Sequence, residues 1–470
     1  MNRIELAEVA SREWDVVVVG SSFAAMFFAH ALPMDLDVLV IEKGAFRSHD
    51  AQLRDGWGVR ETIAQRNTSG FEKKWLSFSV FGGNSNYWHG DTPRFHPDDF
   101  QMNSLFGVGM DWPFGYDDLS PYYERAETLM EVAGGKSNHI IPRANPHPYP
   151  PHPMSRSDKV LRNYSPSWVP LPTARANGGT RPNCCANGVC RICPAGAKFT
   201  ILNGFDQLAH PRASYVLETE FRELVIEGGR ATHGILRGPN EQEIKVKGSM
   251  FALGANAIFN TAILLRSGVT SPALGRYLHE EASQRVVVDT ATIKNYFGGT
   301  SETSHGYHFY HDTDRSEAAA VLIESTNATP NIREEFGKWT NRLVLTLAAE
   351  DLPLAENKVL LENDVPVVEW TGHHPYAYKG LQRALEGLPG IIPDTLDGMT
   401  VSGILPSQAH IQGTHRISTD PAEGVVDEYL RLHEVPNVFA LGAGAFPTCS
   451  PANPSLTLSA LSLRAAEVVR

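Results

Sequence analysis

Apolar residues along this chain fall into short unbroken runs, and the first sits close to the N-terminus. Asp15-Val-Val-Val-Val19 reads as a strand buried on both faces, as in a parallel sheet flanked by helices. Small residues follow in Gly20-Ser-Ser-Phe-Ala-Ala25, then an apolar helical stretch that Pro33 stops. Val38-Leu-Val-Ile41 is a second buried strand and ends in Glu42. The pattern is a βαβ unit whose helix N-terminus suits a pyrophosphate. Glu42, 22 positions beyond Gly20, is spaced to accept from a ribose hydroxyl. The ideal G-x-G-x-x-G is here Gly20-x-Ser22-x-x-Ala25, so a plain packing turn is the competing reading.

Beyond this unit, residues 214–253 read as several strands, SYVLET, FRELVIE, ATHGILRG, EIKVKG and MFALG, and residues 254–267 as a helix. Residues 142–153 hold six prolines and are expected to run extended over the surface. Residues 288–410 form a separate α+β stretch with strands RLVLTLAA, NKVLLEN and VPVVEW. The end, Asn453 to Arg470, reads as one helix with apolar positions at Leu458, Leu461, Ala465 and Val469. No internal repeat is visible.

Composition narrows the class. At 470 residues, 42% hydrophobic and 20% charged, the chain has the apolar content of a folded protein of two or three domains. Its 41 Lys+Arg against 53 Asp+Glu leave a net charge of −12, which disfavours nucleic acid or an anionic membrane surface as partner. No apolar run approaches the roughly 20 residues of a membrane span. The N-terminal residues lack the apolar core of a signal peptide, so a cytoplasmic location is expected, export to the periplasm with a partner subunit being the alternative. Four of the five cysteines, Cys184, Cys185, Cys190 and Cys193, lie within ten residues. That crowding suits a ligand set or a redox patch better than a disulfide framework.

Five segments together resemble the glucose–methanol–choline (GMC) oxidoreductases, flavoproteins that oxidise alcohols. They are the N-terminal unit ending Val-Ile-Glu42-Lys-Gly44; Phe81-Gly-Gly-Asn-Ser-Asn-Tyr-Trp-His89 with Thr92-Pro-Arg-Phe95; and Trp112-Pro-Phe-Gly-Tyr-Asp-Asp-Leu-Ser-Pro-Tyr-Tyr-Glu124. The fourth is Ala252-Leu-Gly-Ala-Asn-Ala257. The last runs from His410-Ile-Gln-Gly-Thr-His-Arg416 through Gly442-Ala-Gly-Ala-Phe-Pro-Thr448 to Ala452-Asn-Pro-Ser-Leu-Thr457. The likeness is strongest to pyranose oxidases and other sugar-oxidising members. It implies an α/β fold in which a Rossmann-like FAD domain (1–110, 175–286, 425–470) interleaves with an α+β substrate domain (111–174, 287–424) over a mixed or antiparallel sheet.

The resemblance also implies roles. His410 matches the base that takes the hydroxyl proton while hydride leaves for flavin N5, and Asn453 matches the residue that holds the substrate oxygen. Considered alone, a histidine is usually a satisfied polar residue, and Asn453-Pro454 is an ordinary helix start. His415, five positions on, reads as structural. FAD contacts are implied at Gly20, Ser22, Phe23, Ala24, Glu42 and Lys43; at Gly82, Gly83, Asn84, Asn86, Tyr87 and Trp88; at Val216, Gly254 and Ala255; and at Gly442, Ala443, Asn453, Pro454 and Ser455. Tyr87 stands where pyranose oxidases carry a flavin-linking histidine, so the FAD is expected to be non-covalent.

The run Asn183-Cys-Cys-Ala-Asn-Gly-Val-Cys-Arg-Ile-Cys-Pro194 resembles the iron–sulfur segment of FAD-dependent glucose and gluconate dehydrogenases, one residue shorter. An iron–sulfur cluster on Cys184, Cys185, Cys190 and Cys193 is therefore expected, with structural thiols or zinc as alternatives. The expected activity is oxidation of a hydroxyl on a sugar, glycoside or aminoglycoside-like carbohydrate, with electrons passing to oxygen or to an acceptor protein. A non-redox lyase, or an oxidase of a non-sugar alcohol, is the alternative.

Overall fold

A computed structural model describes residues 1–56, 58–136, 140–296, 298–327 and 337–470. Its first layer is an eight-stranded sheet built on the βαβ unit. The strand Glu13–Val19 pairs in parallel with Val38–Ile41 on one side and with Glu243–Leu253 on the other. Val38–Ile41 continues in parallel to Ala213–Val216. The valines of the central strands are buried on both faces, in one core with the apolar side chains of the helix Phe23–Ala31.

Residues 243–253 correct the reading of two strands there: they form one eleven-residue strand. Its first half alternates exposed and buried positions and pairs antiparallel with Arg230–Arg237. Its last three residues, Phe251, Ala252 and Leu253, are all buried between parallel neighbours, Glu13–Val19 and Val438–Ala440. One strand thus carries the patterns of two sheet environments, which explains why it reads as two. The following helix spans Asn256–Arg266, and the C-terminal one Ser455–Ala466.

The second layer is a six-stranded antiparallel sheet in the order Leu396–Ile404, Ala282–Thr290, Arg342–Ala349, Val321–Thr326, Glu302–Phe309, Trp168–Pro170. One face is apolar and packs on the helix Pro375–Ile391, through Val286, Leu345 and Ile323 against Ala377, Leu381 and Ala384. The opposite face presents Arg285 and Glu324 toward the first layer, by the alternation of side chains along a strand. The proline-rich stretch does more than cross the surface: Tyr149 pairs with the backbone at Val132 and Gly134, and His152 is buried.

Among the described residues, no helix is long and apolar enough to cross a membrane.

Candidate active site

A cavity of about 450 Å³ lies between the two layers, within the usual range of ligand sites. One end is the turn after the strand Glu13–Val19. Gly20 has φ +91°, and a Cβ there would stand 2.7 Å from the carbonyl oxygen of Gly254. Only glycine permits that approach. Ser22 then begins the helix Phe23–Ala31 without a side-chain cap, leaving the first amides free. Gly83 lies over the same turn, where a Cβ would come within 3.2 Å of the Ser22 Cβ.

Glu42 is buried beside this turn. Burial pushes its carboxyl up to about 7, against the pull of hydrogen bonds donated by the Ser21 hydroxyl at 2.6 Å and the Gly44 amide at 2.7 Å. A carboxylate has lone pairs beyond these two bonds for a ligand hydroxyl.

Of the residues expected to touch FAD, the cavity is lined by Gly20, Ser22, Phe23, Ala24, Glu42, Lys43, Gly83, Asn84, Tyr87, Trp88, Gly254, Ala255, Gly442, Ala443, Asn453, Pro454 and Ser455. Gly82, Asn86 and Val216 do not line it and lie just behind its wall. Gly82 takes φ +90° under the Asn86 side chain, whose Nδ2 donates to the Phe81 carbonyl at 2.9 Å. The Val216 carbonyl accepts from the Glu42 amide at 2.9 Å. The Tyr87 hydroxyl accepts from the Gly58 amide. The glycine cradle, the uncapped helix start and the buried Glu42 fit a dinucleotide, and nothing but a phenol stands at the Tyr87 position.

The other end of the cavity carries His410 and Asn453. His410 Nδ1 lies 3.0 Å from Glu281 Oε2, and its backbone N–H donates to Glu280 at 3.4 Å. That leaves Nε2 toward the cavity. Burial disfavours the charged imidazole, but Glu281, Glu280 and Glu324 outweigh it and hold the pKa above the ordinary value. Glu280 itself is tied to the buried ammonium of Lys73, which sits between the Trp75 and Trp370 rings.

Asn453 is not a helix cap, which corrects that reading. The N-cap is Pro454, no side chain caps the helix, and Asn453 lies one residue outside it. Its Nδ2 donates to Glu324 Oε1 at 3.2 Å, while its Oδ1 is buried without a partner among the described residues. An amide oxygen left so needs a donor, which a bound hydroxyl supplies. His415 is fully buried, packed on Gly444, where a Cβ would come within 1.9 Å of its ring. It does not line the cavity.

Several residues of the site escaped sequence reading. Glu281 is one, although the pair Glu280-Glu281 heading an apolar strand was a visible signal. Glu324, Glu302, Asp91 and His89 also line the cavity or border it.

The four clustered cysteines form a loop against the cavity wall. Lys198 ties the loop to the Gly83–Trp88 turn by donating to the carbonyls of Asn86, Trp88 and Arg191 at 2.9, 2.6 and 2.7 Å. Cys184 Sγ donates to Thr300 Oγ1 at 3.4 Å, and Cys190 Sγ lies 3.0 Å from Ser301 Oγ. Cys185 is exposed and Cys193 half-buried. Three sulfurs around one zinc would sit within roughly 4 Å of each other. Among the described residues no three of these sulfurs lie within 4.8 Å of one another, so a mononuclear zinc site is not assembled.

A family model described as GMC oxidoreductase matches residues 393–462. Paromamine 6'-oxidase of Streptomyces fradiae is 30% identical over 97% of this chain and 91% of its own length. The fructose dehydrogenase large subunit of Gluconobacter japonicus is 25% identical over 97% of both chains. The crystal structure of pyridoxine 4-oxidase from Mesorbium loti superimposes with a TM-score of 0.67 at 18% identity, over 97% of this chain and 98% of that one.

Proposed function

The chain belongs to the GMC oxidoreductase family, an FAD-dependent oxidoreductase acting on alcohol groups, and we propose that it oxidises a hydroxyl of a carbohydrate to a carbonyl. The observation that carries this is the pairing of a carboxylate-held histidine with an asparagine whose oxygen lacks a donor, in one cavity. FAD supplies the acceptor for hydride. His410 Nε2 takes the hydroxyl proton while Glu281 fixes the ring and balances the charge it gains. Asn453 orients the substrate oxygen, and the uncapped N-terminus of Ser455–Ala466, behind it, favours negative charge nearby. Carbohydrate is favoured because two relatives that each cover 97% of the chain are named for paromamine and fructose, against one over 90% named for a propanediol.

In this reading residues 1–110, 175–286 and 425–470 hold FAD, and 111–174 with 287–424 enclose the substrate. FAD is held without a covalent bond, since the Tyr87 phenol offers no imidazole. Cys184, Cys185, Cys190 and Cys193 would hold an iron–sulfur cluster, which would supply one-electron transfer toward an acceptor protein. Its support is the spacing before Pro194 and the Lys198 tether to the Gly83–Trp88 turn. An anaerobic screen of sugars, glycosides and aminoglycosides, watching the flavin bleach, tests the function. Bleaching by simple non-sugar alcohols alone, or by none of these, overturns it. Acid or heat should release free FAD into solution.

A further inference from the structure

The cavity wall opposite the glycine turn is acidic, and the fold made it so in a specific way. Glu302 pairs across the sheet with Thr326, and His305 pairs with Glu324. Cross-strand partners share a face. A register shift between Glu302 and Ser304 lets Glu302 and His305, three residues apart, point to the same side as Glu324. Asp91 joins them from the loop after the Gly83–Trp88 turn. Ligand atoms of His89, Asp91 and Glu302 lie within 4.8 Å of one another.

One guanidinium serves two of these acids: Arg175 donates to Asp91 Oδ1 at 2.8 Å and to Glu302 Oε2 at 3.0 Å. Among the described residues Glu324 has no ion pair, only the neutral Asn453 amide. Burial raises its pKa, and so do Glu302 and Asp91; the Asn453 amide and His410 oppose them. His305 is fully buried beside Asp91, and among the described residues neither of its ring nitrogens has a partner. Among the described residues no cation is paired with Glu324: Arg285 lines the same cavity, but it lies two strands away across Thr346.

Resting on the carbohydrate-oxidation reading above, we propose that Glu324, with Glu302 and Asp91 behind it, binds the ammonium group of an amino sugar next to the hydroxyl held by Asn453. A primary ammonium carries three donors and a full charge, which matches carboxylates better than a hydroxyl does. Because Glu324 touches Asn453, the charged amine sits close to the reacting carbon and orients it. Neutral sugars forgo that contact.

The test compares paromamine, its N-acetylated form and D-glucose in anaerobic flavin reduction by the holoenzyme. The parent should half-saturate with paromamine at a concentration about tenfold or more below that for the N-acetylated form, the scale of one charge-assisted hydrogen bond. Glu324→Gln should erase this preference, and Glu324→Asp, which keeps the charge, should restore part of it. Equal losses for charged and neutral substrates would make Glu324 a positioning residue for Asn453 alone and overturn the proposal. If glucose and N-acetylated paromamine bleach the flavin as readily as paromamine, the subsite fails while the function stands. If none of the three bleaches it, the wider carbohydrate screen decides the function, and binding decides the subsite. In that case paromamine should raise the unfolding midpoint of His410→Ala holoenzyme and lose this effect when Glu324→Gln is added. Stabilisation by Mg²⁺ or Mn²⁺ instead of the amine would reassign the group to a metal ion.

Discussion

Glu281 Oε2 stands 3.0 Å from His410 Nδ1, and its side chain is almost fully buried. The bond assigns the two ring nitrogens different work: Nδ1 faces the carboxylate, and Nε2 is left for the cavity. Removing the carboxylate takes away the largest upward pull, leaving Glu280 and Glu324 against burial, and so lowers the histidine pKa. The base must be unprotonated to act, so flavin reduction rises with pH through this pKa. Glu281→Gln should therefore move the rise to lower pH and reduce the limiting rate, since a mobile ring is a poorer base. A pH profile of anaerobic flavin reduction that matches the parent's would remove Glu281 from this role.

His410→Ala should lower the rate of flavin reduction by roughly 10²–10⁴-fold, the usual range for a general base, with FAD content unchanged. Stopped-flow absorbance at saturating substrate measures it. A retained rate would place the base on another residue.

Gly20→Ala should cost on the order of 1 kcal/mol or more, because φ +91° and the nearby Gly254 carbonyl both oppose a Cβ. The flavin-to-protein ratio of the purified variant should fall along with its thermal midpoint. A variant with full flavin and parental stability would show that this turn does not need glycine.

Protein made and handled without oxygen should carry iron and sulfide, and chelation of the iron should slow artificial one-electron acceptors. Cys190→Ser should slow the same acceptors while leaving anaerobic flavin reduction nearly intact, since hydride transfer uses His410, Asn453 and FAD. Zinc alone, no metal, or unchanged acceptor rates would leave the cysteines as structural thiols.

What the sequence by itself determined is local. The buried strand at Val16–Val19, the small residues after it and Glu42 at the end of the next strand are contiguous patterns. Backbone sterics and burial act within a few residues, so those patterns carry the βαβ unit without help from the rest of the chain. His410 and Asn453 stood out through motifs that resemble a known family, and chemistry alone would not have separated them from other histidines and asparagines. What only the tertiary structure decided lies across long loops and sheet registers. Glu281 meets His410 from 129 positions away, and Glu324 meets Asn453 at the same separation. The acidic wall depends on one register shift that turns Glu302 and His305 to a shared face. Pairing register is set by the whole sheet packing on its helix, so no short window of sequence records it.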